Sequence, residues 1–183
     1  RRFRLLAPLA VLAVLAAAVT VWLLRQPDPA TPDATSNPLA QVRPFTSAPG
    51  YELSPALSPD GQLLAYAEYR GDENTSAIVV QGVDGAGRRR FDEVADASDL
   101  RPRFSPDGRK LAFLRRAPAR CEVRVRPVLA GESRRIADCA VGVPSSVDWS
   151  PDGTRLAFTA PVAMDGGTGP GIALVALADG AIS

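Results

Sequence analysis

Histidine is absent from the 183 residues, and with it the commonest general base at neutral pH. Ser-His-Asp and Cys-His arrangements and every His-containing zinc motif are therefore excluded within this chain. The two cysteines have neither a third Cys nor a His beside them, which is too few soft ligands for a metal site. No G-x-S-x-G, H-E-x-x-H or kinase catalytic motif occurs. No catalytic residue, metal ligand or cofactor is expected, so the chain reads as a non-enzyme, and its residues do not mark a ligand-binding site. Lysine occurs once, at Lys110, every other basic residue being arginine, a compositional bias rather than chemistry. Arg rather than Met stands at position 1, and the chain stops at Ser183 just after a turn signal. The expectation is a piece of a longer polypeptide.

Hydrophobic residues make up 46% of the chain, and Lys+Arg (21) nearly balance Asp+Glu (20). The longest apolar run, LLAPLAVLAVLAAAVTVWLL from Leu5 to Leu24, carries no charge. As a helix it would match a hydrocarbon core of roughly 30 Å, so a transmembrane helix is expected over 5–24. It is longer than the apolar region of a signal peptide, about 7 to 15 residues, and no small-x-small cleavage pattern follows it. Arg1, Arg2 and Arg4 precede it and only Arg25 follows closely, which places residues 1–4 as a cytoplasmic edge and the remainder outside. A single span in a bacterial inner membrane, with an extracytoplasmic domain, is the expected arrangement. Beyond Arg25 the acidic residues are in slight excess, so nothing asks for nucleic acid. The arginine runs Arg88 to Arg90, Arg115-Arg116 and Arg134-Arg135 read as solvated strand ends.

Residues 25–50 are crowded with Pro, Ala, Thr and Ser and lack periodicity, the description of an extended linker. Short apolar runs bounded by Gly, Pro and Asp follow, the mark of an all-β region. Three segments align there: LSPALSPDGQLLAYAEY (53–69), LRPRFSPDGRKLAFLRR (100–116) and SSVDWSPDGTRLAFTAP (145–161). Their shared core, S-P-D-G-x-x-L-A-[YF], recurs at about the 45-residue period of a four-stranded propeller blade.

The turns are Ser58-Pro59-Asp60-Gly61, Ser105-Pro106-Asp107-Gly108 and Ser150-Pro151-Asp152-Gly153. Pro presets φ for the first central turn position, Asp bonds neighbouring N–H groups, and Gly accepts positive φ. These twelve residues are assigned a structural role; the three aspartates sit in different blades, which argues against a metal or acid-base set. In the strand that follows, Leu64, Leu111 and Leu156 share a face with Tyr66, Phe113 and Phe158. Ala65, Ala112 and Ala157 point the other way, toward a neighbouring sheet. Phe104 and Trp149, just ahead of their turns, are expected between blades.

Third strands are expected over 77–83, 121–128 and 172–177, with the glycine-rich Asp165 to Gly171 as a flexible connecting loop. Blades then run over about 51–97, 98–143 and 144–183, the third incomplete, within a propeller region of 51–183. Three blades cannot close a ring that typically needs four to eight. Cys121 and Cys139 fall opposite each other across a hairpin centred near Ala130, so a disulfide is expected, contributing roughly 3 kcal/mol by restricting the unfolded chain.

With its three S-P-D-G turns and the apolar strand after each, the region from 50 to 183 resembles the TolB-like, or WD-like, β-propeller repeat family. The opening RPFTSAPGYELSPALSPDG, the phrase AIVVQ at 77–81 and the placement of Cys121 and Cys139 are similar to the extracytoplasmic half of CadC-type transmembrane transcriptional regulators. That resemblance implies a sensor or protein-interaction propeller with a protein or small-ligand partner. Contact with DNA would come only through a winged-helix domain ahead of the span. The propeller of a membrane Ser/Thr kinase, a TolB-like scaffold and a peptidase-associated propeller are the competing readings.

Overall fold

A computed structural model describes residues 42, 44–46, 49–70, 74–91 and 94–177. The chain divides into two compact units, Arg1–Pro44 and Phe45–Ser183. The expected cytoplasmic edge and transmembrane helix, together with most of the linker, lie outside the described residues. Among the described residues no helix is long and apolar enough to cross a membrane, and every regular element is a strand.

The second unit begins at Phe45, ahead of the expected Tyr51, and the reason is local. Phe45 lines an apolar groove with Leu57 and Leu64, and the Thr46 hydroxyl donates to the Glu52 carboxylate. Gly50, at φ 123°, passes so close to the end of the strand Leu63–Tyr69 that a Cβ there would lie 1.9 Å from the Tyr69 carbonyl oxygen. Only glycine permits that approach.

Three antiparallel sheets follow, each a meander in chain order. The first holds β1 (Tyr51–Leu57), β2 (Leu63–Tyr69), β3 (Ser76–Gly82) and β4 (Arg89–Phe91). The second holds β5 (Ser98–Phe104), β6 (Lys110–Ala117), β7 (Arg120–Pro127) and β8 (Arg134–Asp138). The third has three strands among the described residues: β9 (Val147–Trp149), β10 (Arg155–Met164) and β11 (Gly167–Ala176).

The core lies between sheets, and the strand period of two builds it. Ala65 and Ala67 of β2, with Ile78 and Val80 of β3, receive Phe104, Leu111 and Phe113 of the second sheet. One blade further on, Ala112 and Leu114 of β6, with Val123 and Val125 of β7, receive Leu156 and Phe158. The small alanine side chain lets the bulky pair of the next sheet approach closely. Leu111 and Leu156 are fully buried, each contributing about 1.5–3 kcal/mol relative to an exposed side chain. Phe104 is buried in the first of these clusters and Trp149 packs against the second, in keeping with their positions ahead of the turns. Polar contacts fix the stacking: the Ser76 hydroxyl donates to Asp99 O at 2.9 Å, and Trp149 Nε1 donates to Arg103 O at 3.0 Å.

Two features differ from the sequence expectations. The stretch Asp165 to Gly171 is not a flexible loop. Only Asp165 and Gly166 turn the chain, and β10 and β11 stay in register from Arg155 with Ala176 to Met164 with Gly167. The glycines serve packing, since a Cβ at Gly169 would meet Met164 Sδ at 2.6 Å and one at Gly171 would meet Val162 Cγ2 at 2.4 Å. Pro161 is tolerated in β10 because pairing with β9 covers only Leu156 to Phe158.

The second feature is a pair of bulges. The registers of β1 with β2 and of β5 with β6 each shift, between Leu53 and Ala56 and between Leu100 and Arg103. Ser54 and Arg101 take positive φ (57° and 53°) there, each just ahead of a proline. Proline has no N–H to orphan at an unpaired position, which suits it to a bulge. The third repeat has Ser146-Val147 at this place, and β9 starts only at Val147.

Candidate functional site

The S-P-D-G turns are built alike, atom for atom. In each, the serine hydroxyl donates to its aspartate Oδ1, at 2.5 Å from Ser58, 2.6 Å from Ser105 and 2.5 Å from Ser150. The same oxygen accepts the backbone N–H of Gln62, Arg109 or Thr154 at 3.0 Å. The serine oxygen in turn accepts the N–H of Leu63 at 2.8 Å, and of Lys110 and Arg155 at 2.9 Å. Gly61, Gly108 and Gly153 close the turns at φ 71°, 70° and 70°.

This bonding settles what the aspartates can do. The serine hydroxyl first, and then the backbone N–H, hold the carboxyls of Asp60, Asp107 and Asp152 below their ordinary value of 3.8, Asp152 at about 2. Such acids are anions throughout the physiological range and make poor proton donors. Among the described residues no group of three or more acidic or cysteine side chains could hold a metal ion. The structure therefore brings each turn's four residues together and keeps the three turns in separate blades.

The turns nevertheless lean on one another. A Cβ at Gly108 would touch Pro59 Cδ at 3.6 Å, and one at Gly153 would touch Pro106 Cδ at the same distance. Between the second and third turns lies a groove of about 320 Å³, lined by Ser105, Asp107, Lys110, Trp149 and Asp152. Two carboxylates, one ammonium and an indole thus meet in one groove. Sequence pattern alone does not mark Lys110 as a groove residue, because Trp149, which stands beside it, comes from another blade.

Cys121 in β7 and Cys139 just after β8 form a disulfide, with Cα atoms 4.9 Å apart. The register that pairs Glu122 with Asp138 and Val123 with Ala137 extends to them, and Cys139 N–H donates to Cys121 O at 2.9 Å. Both cysteines are buried in the second inter-sheet cluster. The next residue, Ala140, donates its N–H to Thr159 O of β10 at 3.0 Å. The staple thus anchors the chain where it passes to the third sheet.

The arginine runs are not all solvated strand ends. Arg115 is buried and forks onto the buried Asp99, with Nε to Oδ1 and Nη2 to Oδ2 both at 2.7 Å. Arg90, also largely covered, sits with Nε 3.1 Å from Glu68 Oε2, and Arg88 pairs with the other oxygen of that buried carboxylate. Arg126, outside any run, stacks 3.4 Å over the Phe91 ring across the first interface. Strand alternation aims these side chains inward, where a carboxylate or an aromatic face meets each one.

Antiparallel sheets of up to four strands stacked face to face, each with the same turn joining its first two strands, define the blades of a β-propeller. The TolB β-propeller domain family (PD40) matches residues 40–182, and the chain belongs to that family. TolB from Acinetobacter baumannii superposes with a TM-score of 0.58 at 24% identity, over 72% of this chain and 31% of TolB. The propeller domain of the Trilobed protease from Pyrococcus furiosus gives 0.54 at 24% identity, over 69% of this chain and 39% of that one. The sequence is also 31% identical over 110 residues to an uncharacterized peptidase, YuxL, of Bacillus subtilis, covering 57% of this chain and 16% of the peptidase. The chain thus spans well under half the length of each of these relatives.

Proposed function

We propose that residues 45–183 are the non-catalytic recognition module of a membrane-anchored, extracytoplasmic receptor. The observation that carries this reading is the row of S-P-D-G turns. Each aspartate is committed to its own turn, and a polar groove lies at that end of the blades beside Trp149 and Lys110. The groove takes up a protein segment or a small polar ligand. The disulfide supports an oxidising compartment, and the uncharged run 5–24 supplies the anchor. A winged-helix domain ahead of the span would make the whole a one-component transcriptional regulator.

Trapping thiols in intact cells tests the compartment. Cys121 and Cys139 should resist alkylation until reductant is added after lysis; labelling without reductant places the propeller in the cytoplasm and defeats the reading.

The identity with the Bacillus peptidase favours a second reading, in which the propeller serves a peptidase. Reading the gene on both sides separates the two. A winged-helix domain in frame before Arg1 supports the regulator, whereas a Ser-His-Asp hydrolase domain after Ser183 supports the peptidase.

A further inference from the structure

The junction between neighbouring S-P-D-G turns is built twice among the described residues, so one junction serves as the comparison for the other. At the first, Leu63 follows the turn of one blade and Phe104 precedes the turn of the next. Phe104 is buried in the first inter-sheet cluster and Leu63 packs against that cluster, so hydrocarbon closes the place. At the second junction the same two positions hold Lys110 and Trp149. The framework is the same in both, a Cβ at Gly108 or Gly153 standing 3.6 Å from the Cδ of Pro59 or Pro106 respectively. Yet Lys110 and Trp149 are only part-buried, and with Asp107 and Asp152 they line the groove of about 320 Å³. An apolar pair would add hydrophobic burial here, as it does one blade earlier; this junction gives that up for an ammonium and an indole.

The charges define what the groove attracts. Asp107 and Asp152 are anions at neutral pH, and the hydroxyl and N–H bonds of their turns all fall on Oδ1. Oδ2 of each carboxylate is not spent on those bonds. Among the described residues no ion pair joins Lys110 to either carboxylate, so two negative charges stand against one positive. Trp149 Nε1 is committed to Arg103 O, which leaves the ring to contribute its π surface and not its donor. A guanidinium complements this set: it is planar, forks onto carboxylate oxygens, is weakly hydrated and stacks on aromatic rings. The volume is at the small end of ligand pockets, about 300 to 1,000 Å³, and so takes one long side chain.

We propose that the groove between the second and third turns receives an arginine side chain of a partner protein, its guanidinium held by Asp107 and Asp152 and stacked on Trp149. This rests on the reading of the region as a recognition module and adds the chemistry of what is recognised. Lys110 opposes the same cation, so its removal tightens the contact, whereas an anionic ligand would lose its counter-charge.

Trp149 is one of two tryptophans, and Trp22→Phe leaves it as the only indole reporter. The full chain carrying that substitution, in nonionic detergent micelles, is titrated with acetyl-Gly-Arg-Gly-amide, whose guanidinium is its only charge, and with the Gln and Glu counterparts. The Arg peptide should change Trp149 fluorescence saturably and bind about tenfold more tightly than the Gln peptide, with the Glu peptide weakest. Asp107→Asn and Asp152→Asn, each checked by thermal unfolding, should weaken the Arg peptide about threefold, and Lys110→Gln should tighten it about as much. The bonds Lys110 makes to its turn are all backbone, so the Lys110→Gln result decides even where an Asn variant unfolds.

An Arg peptide that binds no better than the Gln peptide overturns the inference, and so does preference for the Glu peptide. Arg affinity unchanged or lowered by Lys110→Gln has the same force. None of these results bears on the compartment or on the neighbouring domains, where thiol trapping and the gene on either side test the module reading by themselves, so the two fail separately.

Discussion

The second and third sheets carry the same L-A-F strand, yet its surroundings differ. β6 is buried along Leu111 to Arg115 on both faces, whereas β10 alternates between buried and part-exposed over Leu156 to Ala160. The same three residues thus have both faces covered in β6 and one face covered in β10 among the described residues. The first and second sheets offer a finer contrast. Cross-strand position for position, Glu52 faces Glu68 in one where Asp99 faces Arg115 in the other. The repeat conserves the packing surface and leaves the charged end of the strand free to vary. The first sheet meets its like-charged pair by gathering Arg70, Arg88 and Arg90 around Glu68.

The charge contrast should yield the largest effect. Asp99→Ala leaves the Arg115 guanidinium buried without its fork partner, and a loss of about 3–5 kcal/mol is expected in equilibrium urea unfolding. Glu52→Gln, at the matching place, removes one of two facing like charges and should shift stability by less than about 1 kcal/mol. Equal losses would show that the two ends of the strands do the same job.

Next comes the packing contrast. Leu111→Ala empties a site enclosed between two sheets and should cost about 2–5 kcal/mol. Leu64→Ala, the same residue of the repeat on the wall of an open groove, should cost under about half of that, read as a shift in urea midpoint at constant slope. A cost at Leu64 matching that at Leu111 would show that the groove is filled.

The smallest effect is the acid dependence of the turns. A carboxyl held below its ordinary value stabilises the fold fully above pH 3.8, and that contribution is lost as pH falls through the depressed value, about 2 for Asp152. Wild type should therefore lose stability between about pH 4 and 2. Asp152→Asn should be less stable at neutral pH, and its deficit should shrink across that window. A deficit independent of pH would mean that the carboxylate's charge contributes nothing.

Much of the fold is legible in the sequence. The three S-P-D-G turns, the inward alanine face, the inter-blade placement of Phe104 and Trp149 and the opposition of Cys121 and Cys139 follow from periodicity and local turn chemistry, which act over a few residues. The bulges at Ser54 and Arg101 do not stand out from the pattern, although Leu-x-Pro stands at the same offset ahead of the first two turns. The glycines of Asp165 to Gly171 read as loop because glycine signals backbone freedom and close approach alike. Which of the two applies depends on Val162 and Met164 lying across the neighbouring strand. Lys110 becomes a groove residue only when Trp149, from another blade, comes to stand beside it.

What the sequence determined by itself is the unit and its repetition: turn residues fix φ and reverse the chain, and alternation sorts each strand into two faces. What the tertiary structure alone decided is which faces are covered, which arginines find a carboxylate or a ring, and where grooves lie. Those outcomes depend on contacts between residues tens of positions apart, such as Arg126 on Phe91 and Trp149 on Arg103. Burial belongs to a pair of surfaces, and a linear pattern describes each surface without its partner.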